Sequence, residues 1–400
     1  MNASFNWEEK LSTIESVKIV GFKYEVENLS LDDGGFNIVI APGKNHTLMR
    51  HAIVIRDSDG VEGQYVTGWG GTPAAIAQVL QLSPMLVGRD PLQREAIYSD
   101  FKYGLRQTDM MGIGLLDICL WDLAGKKFGA SVSTLLGGYK SEVVAYASTL
   151  HGDRNGRLCS PEAYVDFAAE CKELGYRGFK VHGFSEGDPK EEAQTVRLLG
   201  KAFGDSMNLM LDPSCDLRTF SAAVEVGRAC DEANFMWLED PYRDNGVSQH
   251  GAKRLKEFIR TPLLLTEHVR GLEPKADFIV SGATDYVRAD PEFDLGITGT
   301  IKIAHLAESF GLDVELHSPG PAQRHCISAI RNTNFYESTL VGPGMKNALP
   351  QVYTCGYSDN LDAINHDGTF PIPTGPGLGV SYDWEMINKN VITTHEFVRD

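Results

Sequence analysis

The sequence predicts an α/β fold: a TIM-type (β/α) barrel, preceded by an α+β domain to which the last part of the chain returns. From about residue 142, short apolar runs with strand character alternate with helical stretches, and this alternation indicates parallel strands. About eight such runs over roughly 200 residues match a TIM-type barrel in size. Acidic residues also recur at the ends of these runs, at intervals of about one strand, one helix and two loops.

The sequence predicts that residues 1–140 form the α+β domain. Residues 16–28 alternate between apolar and polar side chains, as a strand does, whereas the polar, glycine-containing residues 29–48 predict a mobile loop. Residues 51–69 predict a hairpin around an Asp-Gly turn. Residues 73–135 carry apolar side chains three and four positions apart, the spacing of helices.

Residues 141–345 predict the barrel. The helix after Asp188 begins with Pro189, which is a good start signal. The strand-like runs are residues 142–149, 177–183, 208–213, 235–239, 262–267, 285–289, 312–317 and 334–337. Residues 346–400 are rich in Gly and Pro but too apolar for a linker, so we expect them to cross back over the first domain.

Three carboxylates end successive strand-like runs in the middle of the chain. Glu239 follows Asp212 by 27 residues, and Glu267 follows Glu239 by 28. Because the carboxyl ends of barrel strands meet at one face, these side chains are predicted to converge, and they would repel each other without a cation between them. Oxygen ligands of this kind suit a hard ion, most often Mg²⁺. A single carboxylate after an apolar run is usually a helix N-cap, but a regular series is hard to explain in that way.

Further ionisable residues continue the series on both sides. Lys180 and His182 share one face of the run before Asp212, because side chains alternate along a strand. Asp290, His317 and Glu337 end the later runs. The pattern predicts a ring of charged groups at one mouth of the barrel.

Composition limits the classes of partner and the compartment. The 54 acidic residues against 37 Lys and Arg give a net charge of −17, which argues against nucleic acid or an anionic membrane as a partner. The seven cysteines are odd in number and contain no CxxC pair, which predicts reduced thiols in the cytoplasm and no structural zinc. The N-terminal residues show no secretory signal, and no apolar run approaches the ~20 residues that span a membrane.

Several stretches together resemble the enolase superfamily, in its mandelate racemase subgroup. They are GIGLLDICLWDLAGKKFG (112–129), STLLGG (133–138), GYRGFKVH (175–182), LMLDPS (209–214), WLEDP (237–241), TEH (266–268), the Asp290–His317 pair and Glu337. The resemblance covers most of the chain and implies a capping α+β domain on a modified barrel, with Mg²⁺ held by Asp212, Glu239 and Glu267. It also suggests a homo-oligomer, often of eight subunits.

The chain departs from the family pattern at two positions. The second barrel strand commonly carries Lys-x-Lys, and here His182 stands in the second position, so a lysine base on that face is in doubt. Histidine can do similar work because its proton equilibrates near neutral pH. Ser214 stands where an Asn is frequent.

The residues allow removal of a proton next to a carboxylate. His317 is the candidate base, with Asp290 accepting a hydrogen bond from its Nδ1–H. Lys180 is expected to hold a substrate carboxylate oxygen, and Glu337 to contact that carboxylate or to act as a neutral acid. Three roles stay open for His182: a second base, a general acid or a polar contact.

Three residues are candidates for substrate contact. They are Ser214, His268 and His46, the last on the predicted capping loop. Strand alternation turns His268 away from the barrel interior, so a supporting role next to the metal ligands stays open for it.

We expect a hydro-lyase that dehydrates an acid sugar, an aldonate or aldarate, to a 2-keto-3-deoxy acid. The alternative is an α-hydroxy-acid racemase or epimerase with His182 and His317 as opposed acid and base. A lactonising enzyme is disfavoured, because the resemblance associates that activity with two lysines. A binding protein would be expected to have lost at least one site residue. A nicotinamide-dependent dehydrogenase has little support, because no GxGxxG follows an early strand.

Overall fold

Residues 12–243 and 246–399 are described by a computed structural model of the chain. Within them, a four-stranded antiparallel sheet has the order β13-β1-β2-β3. Its strands are β1 Ile14–Leu31, β2 Ile38–Asp57, β3 Glu62–Val66 and β13 Val391–Val398. The strand nearest the end of the chain therefore pairs with the first. Residues 1–11, where no secretory signal is predicted, lie outside the described part.

Helices follow this sheet and complete the first domain. They are α1 Pro73–Leu82, α2 Arg94–Gly104, α3 Met111–Phe128 and α4 Val132–Leu135, with a 3-10 turn at Ser83–Met85. Thr72 caps α1 and Ser131 caps α4, each accepting a hydrogen bond from a first-turn N–H. Gly129 ends α3 in the left-handed conformation, which glycine adopts without strain.

Eight parallel strands in the described residues form the second sheet. They are β4 Glu142–Thr149, β5 Gly178–His182, β6 Asn208–Asp212, β7 Trp237–Glu239, β8 Leu263–Leu265, β9 Tyr286–Ala289, β10 Asp313–Leu316 and β11 Tyr336–Val341. The intervening helices are α5 Pro161–Leu174, α6 Pro189–Phe203, α7 Phe220–Ala233, α8 Gln249–Lys256, α9 Leu272–Val280, α10 Gly296–Ser309 and α11 Pro321–Ala329. The predicted fold class, an α/β barrel behind an α+β domain, is confirmed.

The chain after the barrel contains little regular structure. Strand β12, Thr369–Pro371, pairs with β4, and helix α12, Trp384–Lys389, precedes β13. A 3-10 turn spans Leu361–Ala363. No described helix is long and apolar enough to cross a membrane, and all seven cysteines are free thiols.

The barrel is open between β10 and β11. In the described residues its strand order is β10-β9-β8-β7-β6-β5-β4-β11, with no ladder joining the two ends. The fully buried side chain of Glu315 bridges this seam. Its carboxylate accepts hydrogen bonds from the backbone N and the Nδ2 of Asn334 at 3.1 and 2.7 Å, and from Phe335 N at 3.2 Å. The Glu315 side chain therefore links β10 to the residues before β11, where no backbone ladder joins the two strands.

The period of two along each strand builds the barrel interior in layers. A lower layer of large side chains packs into a cluster of Tyr146, Met210, Trp237, Leu264 and Phe335. Each of these five residues is followed two positions later in the sequence by a polar or charged residue. The apolar layer thus closes the barrel from below and carries a charged layer at the carboxyl ends of the strands.

Helix α3 joins the first domain to the barrel and to the C-terminal segment. It is buried nearly all round, unlike an ordinary surface helix. A Cβ on Gly114 would lie 2.4 Å from Pro291 O, and one on Gly125 would lie 2.5 Å from the Cα of Gly377. Only glycine allows the backbones to approach so closely, which explains Gly114 and Gly125.

Two buried aspartates on α3 strengthen this junction. Asp117 accepts hydrogen bonds from the N and the Oγ1 of Thr298 at 3.0 and 2.7 Å. Asp122 accepts from Gln64 N and Leu378 N, both at 2.7 Å. Each carboxylate satisfies backbone N–H groups of another segment, so α3 fixes the relative position of all three parts.

The mobile loop predicted at residues 29–48 is wrong. Strand β1 continues to Leu31 and β2 starts at Ile38, so that only residues 32–37 form a turn. Many side chains of these two strands are exposed, which explains why the sequence here is polar. The strands still pair, because the ladder is made by backbone hydrogen bonds. At the end of the turn, Asn37 Nδ2 donates to Asp216 Oδ2 of the barrel at 3.0 Å. The hairpin therefore bends over the barrel mouth.

Glu192 on α6 is a buried carboxyl group beneath the end of β5. Its Oε1 accepts a hydrogen bond from Phe184 N at 2.6 Å, whereas its Oε2 has no hydrogen-bond partner in the described residues. Burial raises the pKa of this carboxyl to about 8 from an ordinary 4.5. The folded protein therefore retains a proton that the unfolded chain releases, and stability is lost as the pH rises from 4.5 to 8.

Replacing Glu192 with Gln should remove this loss. We expect Glu192→Gln to be more stable than the wild type by on the order of 1 kcal/mol or more at pH 8, with a smaller difference at pH 5. Urea unfolding at both pH values measures the difference. Glu191→Gln on the same helix, where the carboxylate faces Arg154 near the surface at 2.6 Å, controls for loss of a carboxylate. An equal effect at both pH values would contradict the assignment.

Candidate active site

The three predicted carboxylates lie together at the carboxyl ends of the strands. Asp212 ends β6, Glu239 ends β7 and Glu267 follows β8 by two residues. Asp212 and Glu267 line a cavity of about 310 Å³, and Glu239 lies fully buried beside it. Their positions follow from the strand ends, as the spacing in the sequence predicts.

Lys180 lies at the centre of the charged layer. Its Nζ is 3.0 Å from Asp212 Oδ2, 2.8 Å from Glu239 Oε2 and 2.9 Å from Glu337 Oε1. Burial lowers the pKa of this lysine, but the three carboxylates outweigh burial and raise the pKa well above its ordinary value. The side chain is fully buried and does not line the cavity.

Arg288 is the second cation of the layer, and the sequence analysis missed it. Its Nε is 2.8 Å from Glu239 Oε1, and its Nη2 is 2.6 Å from Glu337 Oε2. Its Nη1 donates to Tyr146 Oη at 3.2 Å. Strand alternation could have found it, because Arg288 stands two residues before Asp290 and shares its face.

The layer carries more negative than positive charge. Four carboxylates, those of Asp212, Glu239, Glu267 and Glu337, face the two cations. Burial together with the neighbouring Asp212 and Glu267 raises the pKa of Glu239 to about 8, against the effect of both cations. With all carboxylates ionised, two negative charges stay uncompensated, and a divalent cation would supply that charge.

The donor set fits a hard divalent cation, although the side chains are not gathered round one point. No group of three or more His, Cys, Asp and Glu in the described residues is arranged as a metal site. Lys180 and Arg288 hold oxygens of Asp212 and Glu239 instead. Glu239 Oε1 is buried and lies near Arg288 without hydrogen-bond geometry. A metal would therefore compete with Lys180 for Asp212.

The surroundings of Glu337 favour its ionised form, and so disfavour the neutral acid that is one of its two predicted roles. Burial alone would raise the pKa of its carboxyl, but Arg288 and Lys180 outweigh burial and hold the pKa well below its ordinary value. Oε2 also accepts a hydrogen bond from Ser318 N at 2.8 Å. Glu337 is buried below the cavity and does not line it.

His317 and Asp290 form the expected pair. His317 Nδ1 lies 2.7 Å from Asp290 Oδ2, and His317 Nε2 lies 3.7 Å from Glu267 Oε1. The ring stacks on Phe293 with centroids 5.0 Å apart. Burial lowers the pKa of the imidazole, but the charges of Glu267 and Asp290 outweigh burial and raise it to about 9. Asp290 holds Nδ1, so Nε2 is the nitrogen available for proton transfer.

His182 also lies at the cavity, with both ring nitrogens engaged. Nδ1 lies 2.6 Å from Thr149 O, and Nε2 lies 3.2 Å from Asp212 Oδ2. The ring stacks on His151 with centroids 4.8 Å apart. Since a carbonyl oxygen only accepts, Nδ1 carries a proton and Nε2 faces the carboxylate.

His268 lines the cavity, although strand alternation predicts that it turns away. Thr266 has a positive φ of 87°, which breaks the alternation just before Glu267. The buried Lys275 donates to Thr266 O at 2.5 Å and to Arg288 O at 2.7 Å, and so holds this turn. His268 Nε2 lies 3.3 Å from Asp240 Oδ2.

Strained backbone is concentrated at this mouth of the barrel. Non-glycine residues with positive φ there are Ser214, Cys215, Asp240, Thr266, Ser318 and Leu340, with φ between 31° and 87°. Such conformations cost about 1–3 kcal/mol each and persist only where the surroundings impose them. Ser214, a predicted substrate contact, lines the cavity in this conformation.

The remaining walls come partly from the first domain. Asn37 and Trp69 line the cavity together with His151 and Phe293, none of which the sequence analysis named. His151 follows the first barrel run and could have been found by continuing the series of ionisable residues upstream. His46, predicted to contact substrate, is half-buried on β2, pairs with Val26 and is not among the lining residues.

Two family models match the chain. One, described as "Enolase C-terminal domain-like", matches residues 163–386. The other, described as "Mandelate racemase / muconate lactonizing enzyme, N-terminal domain", matches residues 37–137. The two matches cover the barrel and the first domain separately.

Similar proteins include enzymes that act on sugar acids. A D-gluconate/D-galactonate dehydratase from Picrophilus torridus is 29% identical over 69% of this chain and 70% of its own. A D-galactarolactone cycloisomerase from Agrobacterium fabrum is 28% identical over 82% of this chain and 87% of its own. The structure of a D-glucarate dehydratase from Agrobacterium tumefaciens, complexed with magnesium, has a TM-score of 0.83 at 26% identity, covering 96% of this chain and 100% of that one.

Removing Arg288 should destabilise the fold through the carboxylates it leaves behind. We expect Arg288→Met to lower the free energy of unfolding by about 3–5 kcal/mol, because Glu239 and Glu337 lose a buried partner. Arg56→Met is the control, because Arg56 pairs with Glu15 and Glu62 at the surface and should cost less than about 1 kcal/mol. Equal effects of the two variants in urea unfolding would show that the buried charges are not coupled.

Proposed function

Since the chain belongs to the enolase superfamily, in the group of mandelate racemase and muconate lactonizing enzymes, we propose that it is a Mg²⁺-dependent acid-sugar dehydratase. It converts an aldonate or aldarate to a 2-keto-3-deoxy acid. The observation that carries the proposal is the His317–Asp290 pair, 2.7 Å apart, beside the carboxylates at one cavity. The names of the similar dehydratases support the same reaction class. The cytoplasmic location and the homo-oligomer stay predictions.

Asp212, Glu239 and Glu267 would hold the metal. When bound, Mg²⁺ would stabilise negative charge on the substrate carboxylate and offset the charge of Glu267, which raises the pKa of His317. Ser214 N donates to Asp212 Oδ1 at 2.8 Å and orients this ligand.

His317 carries the proton transfers. Its neutral Nε2 takes the proton from the carbon next to the carboxylate, while Asp290 holds Nδ1 and stabilises the imidazolium. The electron pair then forms a carbon–carbon double bond as the β C–O bond breaks. His317 returns a proton to the departing hydroxide, so that water leaves, and the enol product tautomerises to the 2-keto acid.

Lys180 and Arg288 supply the fixed positive charge beneath the reacting carboxylate. Lys180 is the cation that could bind a substrate oxygen, if it released one carboxylate partner. Glu337 supports this function indirectly, because it fixes Lys180, Arg288 and the Ser318 N–H next to His317. A charge that is already in place stabilises the transition state without reorganisation.

The test is a screen of the purified protein with Mg²⁺ against C4–C6 mono- and diacid sugars, read as 2-keto acid formation. We expect one or more acids to react, with activity lost in EDTA and restored by Mg²⁺. His317→Asn should lower kcat by about 10²–10⁴-fold, since it removes the acid–base group. His305→Asn, an exposed histidine on α10, should retain wild-type activity. Undiminished turnover in His317→Asn would overturn the assignment.

A racemase or epimerase is the second candidate, because His182 lines the same cavity as His317. His182→Asn separates the two reactions. A racemase should lose racemisation, because it needs both bases, whereas dehydration with one histidine should persist. Polarimetry and deuterium exchange at the α-carbon measure the first reaction, and keto-acid formation measures the second. Loss of all α-proton exchange in His182→Asn would contradict His317 as the base. A galactarolactone in the screen covers the cycloisomerase activity of one relative.

A further inference from the structure

Glu292 connects the first domain to the site through a carboxylate bound by backbone amides. It lies in the loop after β9 and is 1% exposed. Its Oε1 accepts from Gly68 N at 2.6 Å, and its Oε2 accepts from Gly70 N at 2.7 Å. The hydroxyl of Tyr65 donates to Oε1 at 3.0 Å. When Glu292 is ionised, these hydrogen bonds are charge-assisted and therefore strong.

The two amides flank a single residue, Trp69, which lines the cavity. A Cβ on Gly70 would lie 2.5 Å from the Glu292 Cβ, and one on Gly68 would lie 3.0 Å from its Oε2. Glycine on both sides of Trp69 is what allows the loop to wrap the carboxylate. Glu292 therefore fixes the part of the first domain that reaches the substrate cavity.

The same residue holds the acid–base pair from the other side. The backbone N–H of Glu292 donates to Asp290 Oδ1 at 2.7 Å, and Asp290 Oδ2 binds His317. The next residue, Phe293, stacks on the His317 ring. Glu292 and Phe293 thus both support His317, and Glu292 also binds the backbone amides on either side of Trp69.

We propose that Glu292 is a positioning residue that couples placement of Trp69 over the substrate to alignment of the His317–Asp290 pair. Its carboxylate acts on substrate binding through Trp69, and its backbone acts on proton transfer through Asp290. The inference rests on the proposed function for its kinetic consequences, whereas the contact itself is independent of the reaction.

The experiment compares Glu292→Gln with Asp122→Asn. Asp122 is a matched control, because it is also a buried carboxylate that accepts from two backbone N–H groups of other segments, but it does not line the cavity. Burial and Asp290 raise the pKa of Glu292 to about 7, so the measurements are made at pH 8. Circular dichroism and thermal unfolding establish that each variant folds.

Hydrogen exchange gives the first readout. In Glu292→Gln the amide side chain presents N–H where an acceptor is needed, so exchange in a peptide covering residues 66–72 should speed up at least about tenfold. Peptides containing Gln64 and Leu378 should stay as in the wild type. Asp122→Asn should give the reverse pattern. Unchanged exchange at residues 66–72 would overturn the proposal, and this result does not depend on any activity.

Kinetics on the substrate found in the screen give the second readout. Glu292→Gln should raise KM about tenfold or more and lower kcat, whereas Asp122→Asn should leave KM unchanged. In the Trp69→Ala background, Glu292→Gln should raise KM by less than about twofold, because its effect on binding passes through Trp69. Independent, multiplicative effects of the two changes on KM would overturn the proposal. If the wild type acts on no acid sugar, the proposed function fails. The exchange result still shows whether the Glu292 carboxylate holds the loop at residues 66–72.

Discussion

An excess of carboxylates over fixed cations in a buried layer is the constraint on which the site depends. Four carboxylates face two cations, so ionising all four leaves two negative charges without a partner, and the barrel encloses the layer between an apolar floor and the cavity. The fold tolerates the imbalance because Lys180 and Arg288 each contact two or more carboxylates. This excess of negative charge makes the mouth of the barrel a place for a cation, and under the proposed function that cation would hold the substrate carboxylate.

The surrounding structure keeps this layer in place and limits access to it. Strained residues at the strand ends turn side chains such as His268 toward the cavity, and the buried Lys275 holds one of these turns. The first domain contributes Trp69 and Asn37 to the walls. Helix α3 packs against the barrel and the C-terminal segment along close glycine contacts.

The sequence predicts the barrel, its strand positions and the grouping of the charged residues, because period and spacing follow from backbone geometry. The predictions fail where a local feature breaks that geometry. The positive φ of Thr266 reverses the direction of His268. Residues 29–48 are predicted to form a loop but belong mostly to two paired strands. The prediction fails because exposed strands have polar sequences, as loops do. Arg288 lies inside a strand and not at the end of one, where most of the other charged residues mark the site. The lowered pKa of Glu337 depends on Arg288 and Lys180, which only the fold brings near.

The pairing of β1 with β13 has a consequence for how the protein is made. Synthesis proceeds from the N-terminus, so β1 leaves the ribosome long before residues 391–398 exist. Until then, one edge of β1 has no strand beside it, while all eight barrel strands of the described chain are still being added. An unpaired edge is open to pairing with another chain. A nascent chain that stalls late in translation would thus carry all the described barrel strands beside a first-domain sheet in which one edge of β1 is exposed, the kind of surface that chaperones cover.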